Sequence, residues 1–230
     1  MKKMLFSSLG FAIVLTPAGI IADDAAPQSP REQFSYALGF QIGTQIAQQM
    51  MTDELDLDPE FLAQAIEDVL SGAPAAITPE QMDAAIIAVQ QQTEEKSMEK
   101  AQAAEQVGKA FREAYGQREG VSKTDSGILY RVLVPGTGAQ PTADDTVVVH
   151  YRGTLVDGTE FDSSIRRGQP ATFSLAGIIP GWQEALQLMK EGARWEVVIP
   201  PELAYGSTGA GGAIGPEETL IFEIELIEVK

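Results

Sequence analysis

Residues 146–164 read TVVVHYRGTLVDGTEFDSS, and the architecture of the C-terminal half turns on this stretch. Thr146 to Tyr151 is β-branched and aromatic without glycine or proline, the composition of a strand. Asp157-Gly158 is a tight-turn pair. Working outward, Ile128 to Val134, Arg194 to Ile199 and Thr219 to Val229 have the same strand character. Pro135-Gly136 and the glycine-rich run Gly206 to Gly215 separate them. One short helix is predicted from Gly181 to Met189, with Trp182, Ala185, Leu186 and Met189 facing inward. Strands on hairpin-length connections with a single helix predict an α+β domain, an antiparallel sheet wrapped over that helix, spanning 125–230.

Upstream the period becomes helical. Ser29-Pro30, Asp58-Pro59 and Thr78-Pro79 each place an N-cap acceptor before a proline whose missing N–H costs nothing at that position. Glu32 and Gln81 complete capping boxes in the first and third cases. The first helix carries Phe34, Leu38, Ile42, Ile46 and Met50 as one stripe, with Gly39 and Gly43 beside it. Two glycines cost about 1 kcal/mol each relative to alanine in a helix. Close packing should compensate, either between helices of one chain or between two chains. From Pro79 to Tyr115 nothing stops the third helix, which at 1.5 Å per residue makes a rod of about 50 Å. Its middle is too polar for a core, so it should stand in solvent. An all-helical domain over 31–115 and a linker over 116–124 follow.

The first residues read as an export signal. Lys2 and Lys3 precede an uncharged run from Met4 to Ile21, and cleavage after Ala22 is expected, leaving a flexible tail over 23–30. The formal net charge of the 230 residues is -17, which argues against nucleic acid as a partner. There is no cysteine, hence neither a disulfide framework nor a lipoprotein anchor. A bacterial periplasm is the expected compartment, with outer-membrane association open.

The usual catalytic groups are missing. The chain has no cysteine nucleophile, no HExxH and no phosphate loop, and its sole histidine is His150, so neither a histidine triad nor a multi-histidine metal site can be built. What remains is aromatic and apolar. Val148-Val149-His150-Tyr151, Asp157-Gly158, Phe161-Asp162-Ser163-Ser164, Ile179-Pro180-Gly181-Trp182, Ile199-Pro200-Pro201, Ala204-Tyr205-Gly206 and Leu220-Ile221-Phe222 follow one another in order. In order and spacing these pieces resemble the FKBP-type peptidyl-prolyl cis/trans isomerases, from Ile128 to Val229. The helical part resembles, less specifically, the dimerisation domain of the macrophage infectivity potentiator and FkpA branch.

The resemblance implies an isomerase that assists folding of exported proteins, without a cofactor, as a homodimer joined through the N-terminal helices. It implies Trp182 as a pocket floor beneath the proline ring, with Tyr151, Phe161, Ile178, Ile179 and Phe222 as walls. The Ile179 N–H and the Tyr205 hydroxyl would hold substrate carbonyls, Asp162 would bond a neighbouring hydroxyl, with Tyr151 the obvious candidate, and Ile214 would close the rim. Macrolide inhibitors of the tacrolimus kind are implied ligands. Ala171 and Ala210 stand where relatives often have an aromatic and a histidine, which leaves two walls in question. The rival expectation is a holdase chaperone that binds unfolded chains in a cleft of the helical dimer, with isomerisation secondary.

Overall fold

The computed structural model describes residues 26–52 and 56–230, so the expected signal peptide lies outside the described residues. The chain divides into two compact units, the first ending at Gln48. The described part of the first is most of helix α1 (Pro30–Thr52), whose last residues fall in the second unit; the helix is closed at its start by the expected box: Glu32 N–H donates to Ser29 Oγ at 3.2 Å, and Ser29 N–H donates to Glu32 Oε2 at 2.9 Å. Its stripe is open at Phe34, Leu38 and Ile42, which are 71%, 49% and 44% exposed, and half-buried at Ile46 and Met50.

The second unit continues with α2 (Pro59–Ser71), capped by Asp58, and α3 (Pro79–Gly116), capped reciprocally by Thr78 and Gln81. At 38 residues α3 is about 57 Å long. Only Gly108 and Tyr115 are buried along it, as its polar middle requires.

The rest is a seven-stranded antiparallel sheet: β1 (Val121–Lys123), β2 (Leu129–Val134), β3 (Thr146–Thr154), β4 (Glu160–Ser163), β5 (Ala171–Ser174), β6 (Arg194–Ile199) and β7 (Leu220–Val229). Its order is β1-β2-β6-β7-β3-β4, with β5 on β3. Between strands lie a one-turn helix α4 (Ser164–Arg167) and α5 (Pro180–Leu188). Strict alternation along β7 sends Leu220, Phe222, Ile224 and Leu226 to one face. There they meet Val147, Val149 and Tyr151 of β3, Trp195, Val197 and Ile199 of β6, and Trp182, Ala185 and Leu186 of α5.

The opposite face holds a second, smaller core of Tyr115, Leu129 and Val198, with Phe111, Val121 and Ile221 packed on it. Tyr115 O–H donates to Glu196 Oε1 at 2.6 Å, and Arg131 bonds the same oxygen at 3.1 Å. Arg118 lies 4.9 Å from the Tyr115 ring centroid. This corrects the expected linker over 116–124. Val121, Ser122 and Lys123 pair with Arg131, Tyr130 and Leu129, because Val121 has apolar surface to cover beside Tyr115. The end of α3 is thus packed on the sheet that follows it.

Candidate active site

Tyr151 reaches the core face from the middle of β3, and the turn at Asp157-Gly158 returns the chain as β4, which brings Phe161 and Asp162 alongside. Gly153 pairs with Asp162 on one side and Phe222 on the other. A Cβ there would stand 2.6 Å from the Phe161 ring and 2.8 Å from that of Phe222, so only glycine leaves room for the two rings. They meet edge to face at 5.6 Å. Trp182 is held in the first turn of α5 by Pro180 at N1 and is 4% exposed. Three rings surround its indole at near-perpendicular angles: Tyr151 at 5.1 Å, Phe222 at 5.2 Å and Phe173 at 5.6 Å. Such T-shaped contacts fix ring orientation as well as burying area.

Together these residues bound an open cavity of about 270 Å³, lined by Tyr151, Phe161, Asp162, Phe173, Gly177, Ile178, Ile179, Trp182, Tyr205 and Phe222. Eight of the nine residues singled out in the sequence therefore line one cavity. Ile214 does not. Gly209 and Gly212, both at positive φ, fold the glycine-rich loop back until Ala210 and Ile214 exchange backbone hydrogen bonds of 2.9 and 3.0 Å. That turn sets Ile214 opposite Ala210 at 8% exposure, packed in the same cluster as Tyr151, Trp182 and Phe222. The wall left in question at Ala171 is supplied by Phe173. Ala171 and Phe173 share a face two residues apart on β5, so alternation in Ala-Thr-Phe-Ser was the available signal.

The polar edge is a network of three side chains. Tyr151 O–H donates to Asp162 Oδ2, Arg167 is ion-paired with Asp162 Oδ1, and Arg167 Nη2 donates to Tyr151 Oη at 2.8 Å. The guanidinium lies 5.5 Å from the Tyr151 ring centroid. Arg167 was not singled out in the sequence. It ends the one-turn helix that Ser163 caps, and this places it five residues after Asp162 on the same side. Partial burial pushes the Tyr151 phenol up, and its bond to the Asp162 carboxylate pushes it further. Burial works against the Asp162 carboxylate too, but hydrogen bonds from Tyr151 and Arg167, the Arg167 charge and the Ser163 N–H outweigh it and hold the carboxyl below its ordinary value. At neutral pH the site therefore presents a protonated phenol and an ionised carboxylate, both already engaged. His150 points elsewhere: its Nδ1 lies 3.0 Å from the buried Ser164 Oγ, which also accepts the Tyr151 N–H.

The arrangement has room for a compact apolar ring against aromatic walls, with hydrogen-bonding groups at its rim. Residues 137–227 match the family described as FKBP-type peptidyl-prolyl cis-trans isomerase, and residues 31–132 match the domain amino-terminal to it. The chain belongs to the FKBP-type peptidyl-prolyl cis-trans isomerases, the enzymes that interconvert the two forms of the bond preceding proline. Within that family it goes with the Mip and FkpA proteins. It is 39% identical to the outer membrane protein MIP of Legionella longbeachae over 100% of this chain and 99% of that one. It is 43% identical to the FKBP-type 22 kDa isomerase of Escherichia coli over 86% of this chain and 94% of that one. Among solved structures, FkpA from Escherichia coli superposes with a TM-score of 0.63 at 36% identity, covering 89% of this chain and 99% of that one.

Proposed function

We propose that the aromatic cavity is the isomerase site and that it works by preferring the twisted amide. Rotation about an X-Pro bond takes tens to hundreds of seconds unaided, because it breaks amide resonance. In the planar amide, charge is separated between oxygen and nitrogen; in the twisted one that separation is lost. An apolar cavity withholds the water that stabilises the planar form, and this differential binding is catalysis. In this reading the proline ring rests on Trp182 between Tyr151, Phe161, Phe173, Ile178 and Phe222. The Ile179 N–H and the Tyr205 hydroxyl take the flanking carbonyls, while Asp162 and Arg167 fix Tyr151. The observation that carries the reading is the edge-to-face packing of Tyr151, Phe173 and Phe222 around one buried indole beneath an open cavity.

The same reading makes the chain a homodimer through α1, whose exposed Phe34, Phe40, Leu38 and Ile42 need a cover that a second copy supplies. It places the protein in the periplasm, supported by the basic and uncharged N-terminal run. Among the described residues no helix is long and apolar enough to cross a membrane. Macrolides that present a proline-like ring should compete for the cavity. The test is turnover of a short X-Pro peptide by wild type and by Trp182→Ala combined with Tyr205→Phe. Loss of turnover supports the site, and wild-type turnover in the double variant overturns it.

A further inference from the structure

We infer that Gln183 is a positioning residue for the isomerase, clamping the peptide between Ile178 and Ile179 so that the Ile179 N–H is aimed at the substrate. This rests on the reading of the cavity as the isomerase site and deepens it. Gln183 Nε2 donates to the Ile178 carbonyl oxygen at 2.8 Å. A carbonyl only accepts, so the amide nitrogen must be the end that faces it. The Ile178 carbonyl and the Ile179 N–H are the two polar ends of one planar trans peptide, and they point in opposite directions. Holding one end sets the direction of the other.

Two observations make the clamp necessary. Leu175 is fully buried and its N–H is fixed to the Asp145 carbonyl at 3.0 Å. Beyond it Ala176 and Gly177 are exposed, and outside its own short turn the segment 176–178 has no other hydrogen bond to the described residues. The Ile179 N–H likewise has no acceptor among the described residues, whereas the Ile179 carbonyl is spent on the N–H groups of Trp182 and Gln183 at 3.0 and 3.1 Å. A donor at the cavity wall is thus left open, and one side chain orients it. The clamp stands on a steadied helix: Gln187 Nε2 donates to the Gln183 carbonyl at 3.0 Å, and Gln140 Nε2 to the Gln187 carbonyl at 2.5 Å. Donation into the carbonyl also polarises the N–H at the far end, by about 10–30% per bond in a hydrogen-bonded chain.

The experiment uses the full chain, a tetrapeptide with one X-Pro bond, and the ¹⁵N–¹H resonance of Ile179. Gln183→Leu keeps the volume and removes the donor. Its kcat/KM should fall roughly three- to tenfold, the worth of one neutral hydrogen bond, with an unchanged melting temperature and a shifted Ile179 amide. Gln183→Glu should be as poor at neutral pH, where a carboxylate cannot donate, and should recover as pH falls and the carboxyl gains a proton. The wild type should stay flat over that range, because Asp162 titrates below the ordinary carboxylate value. Wild-type kcat/KM in Gln183→Leu, or a glutamate variant with no acid recovery, overturns the clamp. If the leucine variant melts early, the acid recovery decides. Trp182→Ala in the same assay separates the two failures. Turnover that survives it sinks the cavity reading itself; turnover lost there but untouched in Gln183→Leu sinks only the clamp.

Discussion

Trp182 and Phe34 are both large aromatic residues near the start of a proline-initiated helix, yet one is 4% exposed and the other 71%. The difference lies in what the neighbouring chain supplies. Around Trp182 three strands and a loop converge, and Leu220, Phe222, Ile224 and Leu226 on the inward face of β7 find partners on β3, β6 or α5. Along α1 the apolar stripe is as regular, but the described chain leaves it open. A sheet closes its own core; a lone amphipathic helix needs something else to close on.

Breaking the closed side should have the largest effect. Trp182→Ala removes the residue that three rings lean on, and should lower unfolding free energy by about 3–5 kcal/mol while reducing X-Pro turnover to background. Urea melts and a peptide assay on the same sample check both. Next comes the second core. Tyr115→Phe should cost about 1.5–3 kcal/mol, because Glu196 loses a charge-assisted bond in a partly buried place. Turnover should persist, since nothing in the cavity moves; a melt that matches wild type would show the stem and sheet to be unlinked.

On the open side, Phe34→Asp should leave the melting of the isomerase unit within about 0.5 kcal/mol of wild type, as for surface changes generally. Sedimentation should nevertheless shift from dimer to monomer. A dimer that survives with Phe34 and Leu38 both replaced would remove α1 as the interface. The smallest effect concerns Asp162. Its folded pKa lies below the unfolded value, so the stability it contributes is present above about pH 4 and is lost as pH falls through the folded value. With side-chain exposures of 43% and 41% for Arg167 and Asp162, that contribution is under about 1 kcal/mol. Stability measured from pH 5 to 2 should fall more steeply in wild type than in Asp162→Asn.

Much of this was readable beforehand, and the exceptions share a cause. Strand alternation, the capped helix starts and the lining residues Tyr151, Phe161, Trp182 and Phe222 depend on local pattern and residue type. Phe173 shares a face with Ala171 two residues away, so the wall it supplies is carried by strand alternation rather than by position in a motif. Ile214 goes inward for a reason no pattern carries: a run of glycines at positive φ decides which way the loop turns. Gly153 and the Tyr115 core depend on which strands become neighbours, and Glu196 lies far along the chain from Tyr115. Such pairings follow from the sheet order and have no local signature.

The two cores meet in one strand. Tyr115 at the end of α3 packs over Ile221, and the next residue, Phe222, is a wall of the cavity on the other face. The sheet between them is one strand thick, so α3 is a lever whose short end bears on the back of the site. A displacement of the end of that 38-residue arm would bear on the strand that carries Phe222. Whatever holds the end of α3 and whatever fills the cavity would therefore bear on one strand from its two faces.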